Sequence, residues 1–114
     1  MKGTNQILIN NLIRLLTPVS AQSVAVSIAT AEEHTIVSPS ATTDSLRIVK
    51  VALYPAAAVG MTFKFGTTVL ATITADKFFE FDLPFPWMGE PNEAFTITLD
   101  GAISVTGFVQ SYEV

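Results

Sequence analysis

The stretch Met61-Thr-Phe-Lys-Phe-Gly-Thr-Thr-Val-Leu-Ala-Thr-Ile-Thr74 decides the fold class. In its first half Met61, Phe63 and Phe65 alternate with Thr62 and Lys64, so a pleated backbone sends the apolar side chains to one face and the polar ones to the other. In its second half Val69, Ala71 and Ile73 stand against Thr68, Thr72 and Thr74 in the same rhythm. The two runs predict a hairpin that turns near Gly66-Thr67, where the chain needs a permissive backbone. Downstream, Phe95, Ile97 and Leu99 alternate with Thr96 and Thr98, and Asp100-Gly101 predicts a second tight hairpin. Ile103, Val105 and their neighbours through Val109 and Tyr112 return as a last strand, which sets the end of the chain inside a sheet.

Upstream, Ser45 to Tyr54 is a nearly continuous apolar run with Arg47 and Lys50 as its charges, the pattern of a strand covered on both faces. Pro55 ends it, and Ala56 to Gly60 form a small-residue connector. From Phe81 to Pro91 the alternation fails at Pro84, Pro86 and Pro91, which cannot donate to a ladder, so a loop with Phe85 and Trp87 at its tip is expected. Ser23 to Thr30 and Thr35 to Ser38 read as two more strands, separated by a turn at Glu32-Glu33-His34, and Ser38 to Asp44 as a Ser/Thr/Pro linker. Ile9, Leu12, Ile13 and Leu16 fit a helical stripe, but Gln6 to Leu16 also fits two short strands around Asn10-Asn11; a strand or extended arm is the preferred reading. The sum is seven to nine short strands, hence an all-β antiparallel sandwich, jelly-roll-like. Residues 1–44 supply an N-terminal arm plus one or two strands and residues 45–114 the sandwich core, in one domain.

Composition narrows the function. A chain of 114 residues with 49% hydrophobic and only 14% charged residues holds one real core and is not disordered. Its net charge of −4 gives no electrostatic footprint for nucleic acid. The absence of cysteine removes disulfides, thiolate nucleophiles and cysteine-based metal sites. Lys2, the apolar stretch Ile7 to Leu16 and Val19-Ser20-Ala21 outline an export signal, but Asn10, Asn11 and Arg14 interrupt it, so the expectation is no cleavage. No apolar run of about 18 residues is present, and no membrane partner is expected.

Chemistry-bearing residues are sparse. The single histidine, His34, sits beside acidic neighbours and reads as a surface turn residue rather than the centre of a triad or metal site. Glu80 and Asp82 share a strand face, and Glu90 and Glu93 flank the proline segment; paired carboxylates could cleave glycosides, yet the alternating Phe79 and Phe81 make Glu80 and Asp82 the solvent face of a half-buried strand. No catalytic, metal or cofactor site is expected. Tyr54, Phe85, Trp87 and Tyr112 could form a platform for sugar rings or a protein neighbour, while Phe78, Phe79, Phe81 and Phe95 belong to the core or its rim. Trp87 either closes one end of the sandwich or contacts a partner. From Val51 to Ala75 the only charge is Lys64, and between Arg14 and Glu32 there is none, a surface that predicts burial against other subunits, including further copies of this chain.

The strand Leu46-Arg-Ile-Val-Lys-Val-Ala-Leu53, the hairpin Met61 to Val69, the Pro84-Phe-Pro-Trp87 segment and the ending Ala94 to Val114 together resemble the small β-sandwich structural proteins of tailed-bacteriophage virions, especially head decoration or cement proteins. The resemblance implies a non-enzymatic homo-oligomer, with a trimer as the state it suggests, that binds the major capsid protein on the head surface of the virion and ties coat subunits together. It assigns partner contact to the arm residues Ile7, Ile9, Leu12, Ile13 and Leu16, by strand addition or groove packing, and to Phe85 and Trp87 as anchors. Similar endings occur in tail and fibre modules, so a receptor- or glycan-binding module is the alternative. A secreted adhesin or lectin-like domain is a third reading, and it requires cleavage near Ala21.

Overall fold

In a computed structural model, which describes residues 21–114, the chain is all-β, with eight strands and no helix among the described residues. The strands are β1 (Gln22–Ile28), β2 (Glu33–Val37), β3 (Leu46–Pro55), β4 (Val59–Phe65), β5 (Thr68–Ala75), β6 (Phe79–Met88), β7 (Phe95–Leu99) and β8 (Val105–Glu113). They form two four-stranded antiparallel sheets, ordered β1-β8-β3-β6 and β2-β7-β4-β5, packed as a sandwich. The pairs are nested: β1 with β8, β2 with β7, β3 with β6 and β4 with β5.

The core is made by the alternation already visible in the sequence. Met61, Phe63 and Phe65 of β4 and Phe95, Ile97 and Leu99 of β7 are buried against Leu46, Ile48, Val51 and Leu53 of β3 and Val105 and Val109 of β8. Phe63 is its aromatic centre, with ring centroids at 6.1 Å from Phe81, 5.8 Å from Trp87 and 6.3 Å from Phe95. The β4–β5 hairpin turns at Gly66, whose φ of 55° is the left-handed conformation the turn requires. The last strand, β8, lies between β1 and β3 inside its sheet.

Several expectations are corrected. Asp100-Gly101 is not a hairpin: β7 and β8 lie in different sheets, and the segment carries the chain across the sandwich. Asp100 is instead clasped to β4, its Oδ1 accepting from the Gly60 N–H at 2.7 Å and its own N–H donating to the Gly60 carbonyl at 3.0 Å. The turn after β1 is shorter than read, and Glu33 and His34 already belong to β2.

Ser45 to Tyr54 is not covered on both faces. A bulge between Ile48 and Lys50 switches the inward parity from Leu46 and Ile48 to Val51 and Leu53, which makes the run look continuously apolar, while Lys50 and Tyr54 face outward. A second bulge between Phe63 and Lys64 in the β4–β5 pairing turns Val69 outward and Leu70 toward the core.

The largest correction is the proline segment, where β6 runs through Pro84 and Pro86 to Met88. It survives because β6 is an edge strand, so a missing N–H on its free side breaks no ladder. The ladder is also interrupted there: Lys50 pairs with Asp82 and Ile48 with Trp87, so Leu83 to Pro86 stand opposite Val49 alone.

Candidate interaction surfaces

The carboxylates are surface groups. Glu80 and Asp82 lie on the outer face of β6, 3.6 and 3.4 Å from the Lys50 ammonium across the strand pair. The Glu93 carboxylate accepts the Glu90 N–H at 2.8 Å and so closes its own turn. His34 is also locally engaged, its Nε2 lying 2.9 Å from the Thr30 carbonyl oxygen and 3.2 Å from its hydroxyl. No group of three or more His, Asp or Glu suited to a metal ion occurs among the described residues.

The predicted aromatic platform does not assemble. Trp87 packs inward, 5.8 Å from Phe63, 6.1 Å from Phe81 and 6.3 Å from Phe95, so it helps to close the sandwich while its ring stays partly exposed. Tyr54 is half exposed and stacked on Phe78 at 4.4 Å. Tyr112 sits opposite Arg47, whereas Tyr54 sits opposite Thr106, so along β8 the two tyrosines are about 20 Å apart at the usual rise per residue. Of the expected core aromatics, Phe95 is fully buried, Phe79 and Phe81 line the rim, and Phe78 is exposed beside Tyr54.

Phe85 is the outlier. It is 85% exposed on the bulged part of β6, held between Pro84 and Pro86, and Met88, 69% exposed, follows on the same edge strand. The prolines fix φ on both sides of Phe85, so the ring is presented on a stiff backbone, and binding it costs little chain entropy. The sequence marks Phe85 but not Met88, whose only signal is parity, since an inward Trp87 sends its strand neighbour outward. The arm residues Ile7, Ile9, Leu12, Ile13 and Leu16 lie outside the described residues.

At one end of the sandwich a cleft of about 360 Å³ is walled by Gln22, Val37, Asp44, Leu46, Tyr112 and Glu113 among others. The Glu113 carboxylate accepts the Ser40 N–H across its mouth, and Ser45 and Val114 pair through both backbone groups at 2.9 and 3.0 Å. This end is thus tied together by the linker and the C-terminal strand. The chain matches no protein-family model, no curated protein and no solved structure.

Proposed function

We propose that the chain is a non-enzymatic structural protein of a tailed-bacteriophage virion, a decoration protein that binds the assembled lattice of the major capsid protein on the head surface and stabilises it. The nested pairing supports this reading: one-eight, two-seven, three-six and four-five is the order of a jelly roll, an architecture used by viral capsid and lectin domains. That support is fold-level analogy. The observation that carries the proposal is Phe85, a large apolar side chain standing in solvent on a proline-stiffened edge, as an anchor for a pocket in a neighbouring subunit would. A ligand that binds only the assembled shell stabilises it by mass action, about 2.7 kcal/mol per site at a hundredfold excess over Kd.

The test is co-sedimentation of the purified chain with purified phage capsids. Phe85→Ala leaves thermal stability within about 0.5 kcal/mol of the wild type, because the ring is exposed, and weakens particle binding at least tenfold. Deleting the residues before Ser20 abolishes binding and leaves the sandwich folded, if the arm makes the contact the resemblance implies. Undiminished binding by the Phe85 variant rejects the anchor. A chain that ignores capsids and tail particles alike rejects the virion reading.

The alternative, a receptor- or glycan-binding module of a tail or fibre, draws on the stacked Tyr54–Phe78 pair, which is the only aromatic pair among the described residues with both rings about half exposed. Glycan-array binding that is lost in Tyr54→Ala, together with failure to bind capsids, would favour it.

A further inference from the structure

The four sheet edges are not equally protected. The β2 edge is short, is bulged between Thr35 and Val37, and carries Glu33 and His34. The β6 edge carries Glu80, Asp82, two prolines and the long bulge. Charges, prolines and bulges are the devices that keep edges from pairing with other chains. The β5 edge has only the bulge at Leu70, near its start: Thr68 to Ala75 contains no charge and no proline, Ala71 to Ala75 run in unbroken register with β4, and among the described residues β5 pairs only with β4. The β1 edge is also uncharged, but it is entered directly from residues 1–20. Both ends of β5 are held by described turns.

From Ala71 to Ala75 the side chains of β5 suit pairing with a second copy of the same segment. Ala71, Ile73 and Ala75 face the core side, and Thr72 and Thr74 face solvent. Antiparallel pairing centred on Ile73 sets Ala71 opposite the second copy's Ala75, Thr72 opposite its Thr74 and Ile73 opposite its Ile73. A two-fold pairing of this kind keeps each pair on one face in any strand; what is particular to β5 is the content of the pairs, uncharged throughout, alanine with alanine, isoleucine with itself and threonine with threonine, and threonine pairs are favourable across strands. The geometry points to β5 as a self-association edge, at which a second copy of this chain pairs about a two-fold axis and merges two four-stranded sheets into one of eight strands.

This inference does not rest on the virion reading, since it concerns the isolated chain, and it replaces the trimer suggested by resemblance with an isologous dimer. It is tested by sedimentation velocity of the full chain from about 10 to about 500 μM. The wild type moves toward twice its 12.2 kDa chain mass. Thr72→Lys/Thr74→Lys and Thr72→Glu/Thr74→Glu change only exposed side chains and place like charges in opposition, so each weakens association at least tenfold. Mixing the two variants restores the doubled mass, because the lysines of one copy then meet the glutamates of the other across the axis. As an independent readout, Thr72→Cys/Thr74→Cys forms a covalent dimer on oxidation, the chain having no other cysteine. A wild type that stays monomeric, a trimer mass, wild-type association by both charged variants, or no covalent dimer overturns the inference. So does loss of association in Ser23→Lys/Ser27→Lys with none in the β5 variants, which would move the interface to β1.

Discussion

Phe63→Ala lowers the stability of the chain by about 3–5 kcal/mol, a large part of what a domain of this size has in total. Phe63 has no solvent exposure and lies within about 6 Å, centroid to centroid, of rings from both sheets, so its removal opens a void that β4, β6 and β7 cannot close together. The fall is read by urea titration followed through the fluorescence of Trp87, the sole tryptophan, which sits 5.8 Å from the deleted ring. The native emission of the variant also changes, because Trp87 loses a wall of its packing. A loss below about 1 kcal/mol would mean that the sandwich is not centred on this cluster.

Gly107→Ala costs about 3 kcal/mol or more and leaves the chain largely unfolded at temperatures the wild type tolerates. Gly107 has a φ of 146°, which side-chain-bearing residues rarely adopt, and it lies in β8 between Val26 of β1 and Leu53 of β3. A Cβ there would overlap the Ala52 carbonyl oxygen and stand 2.9 Å from the Leu53 Cα. These are backbone atoms of the neighbouring strand and cannot swing aside. Gly101→Ala is the control: a Cβ there approaches only Val59 and Ile103 methyl or methylene carbons at 3.9 and 4.0 Å, and the change is neutral within about 0.5 kcal/mol. Thermal unfolding of the two variants checks the contrast, and equal losses would reject the account.

What is legible in the sequence follows from how local each cause is. Alternation in β4 is readable because its two faces differ sharply, Met61, Phe63 and Phe65 being buried while Thr62 and Lys64 are half exposed; in β7 the alternation is one of residue type, since Thr96 is itself buried. Asp100-Gly101 misleads because the dipeptide signals a turn but does not say which strands flank it, and here the turn serves a passage between sheets. Pro84 and Pro86 mislead for the same reason: proline excludes a central strand, and only the tertiary arrangement makes β6 an edge. Bulges at Val49 and Leu70 reset parity with no local signal, which is why simple alternation puts Val69 on the wrong face. At the interaction surface, Phe85 is visible as an aromatic between prolines. The fate of Trp87 depends on the bulge just before it, and Met88 inherits that ambiguity.

The nested strand order has a consequence for how the chain reaches its native state. The β4–β5 hairpin joins residues close in sequence, whereas β1 with β8 sets Gln22 beside Ser111, so each successive pair closes a longer loop than the one inside it. Loop-closure entropy and non-local pairing slow folding, which places a sandwich of this kind in the millisecond-to-second range. During synthesis the inner hairpin can form early, but β1 lacks its sheet neighbour and β3 lacks one of its two until β8 emerges to pair between them. Until then two apolar strand edges are open to any other nascent copy, and the strand made last of the eight ends that exposure.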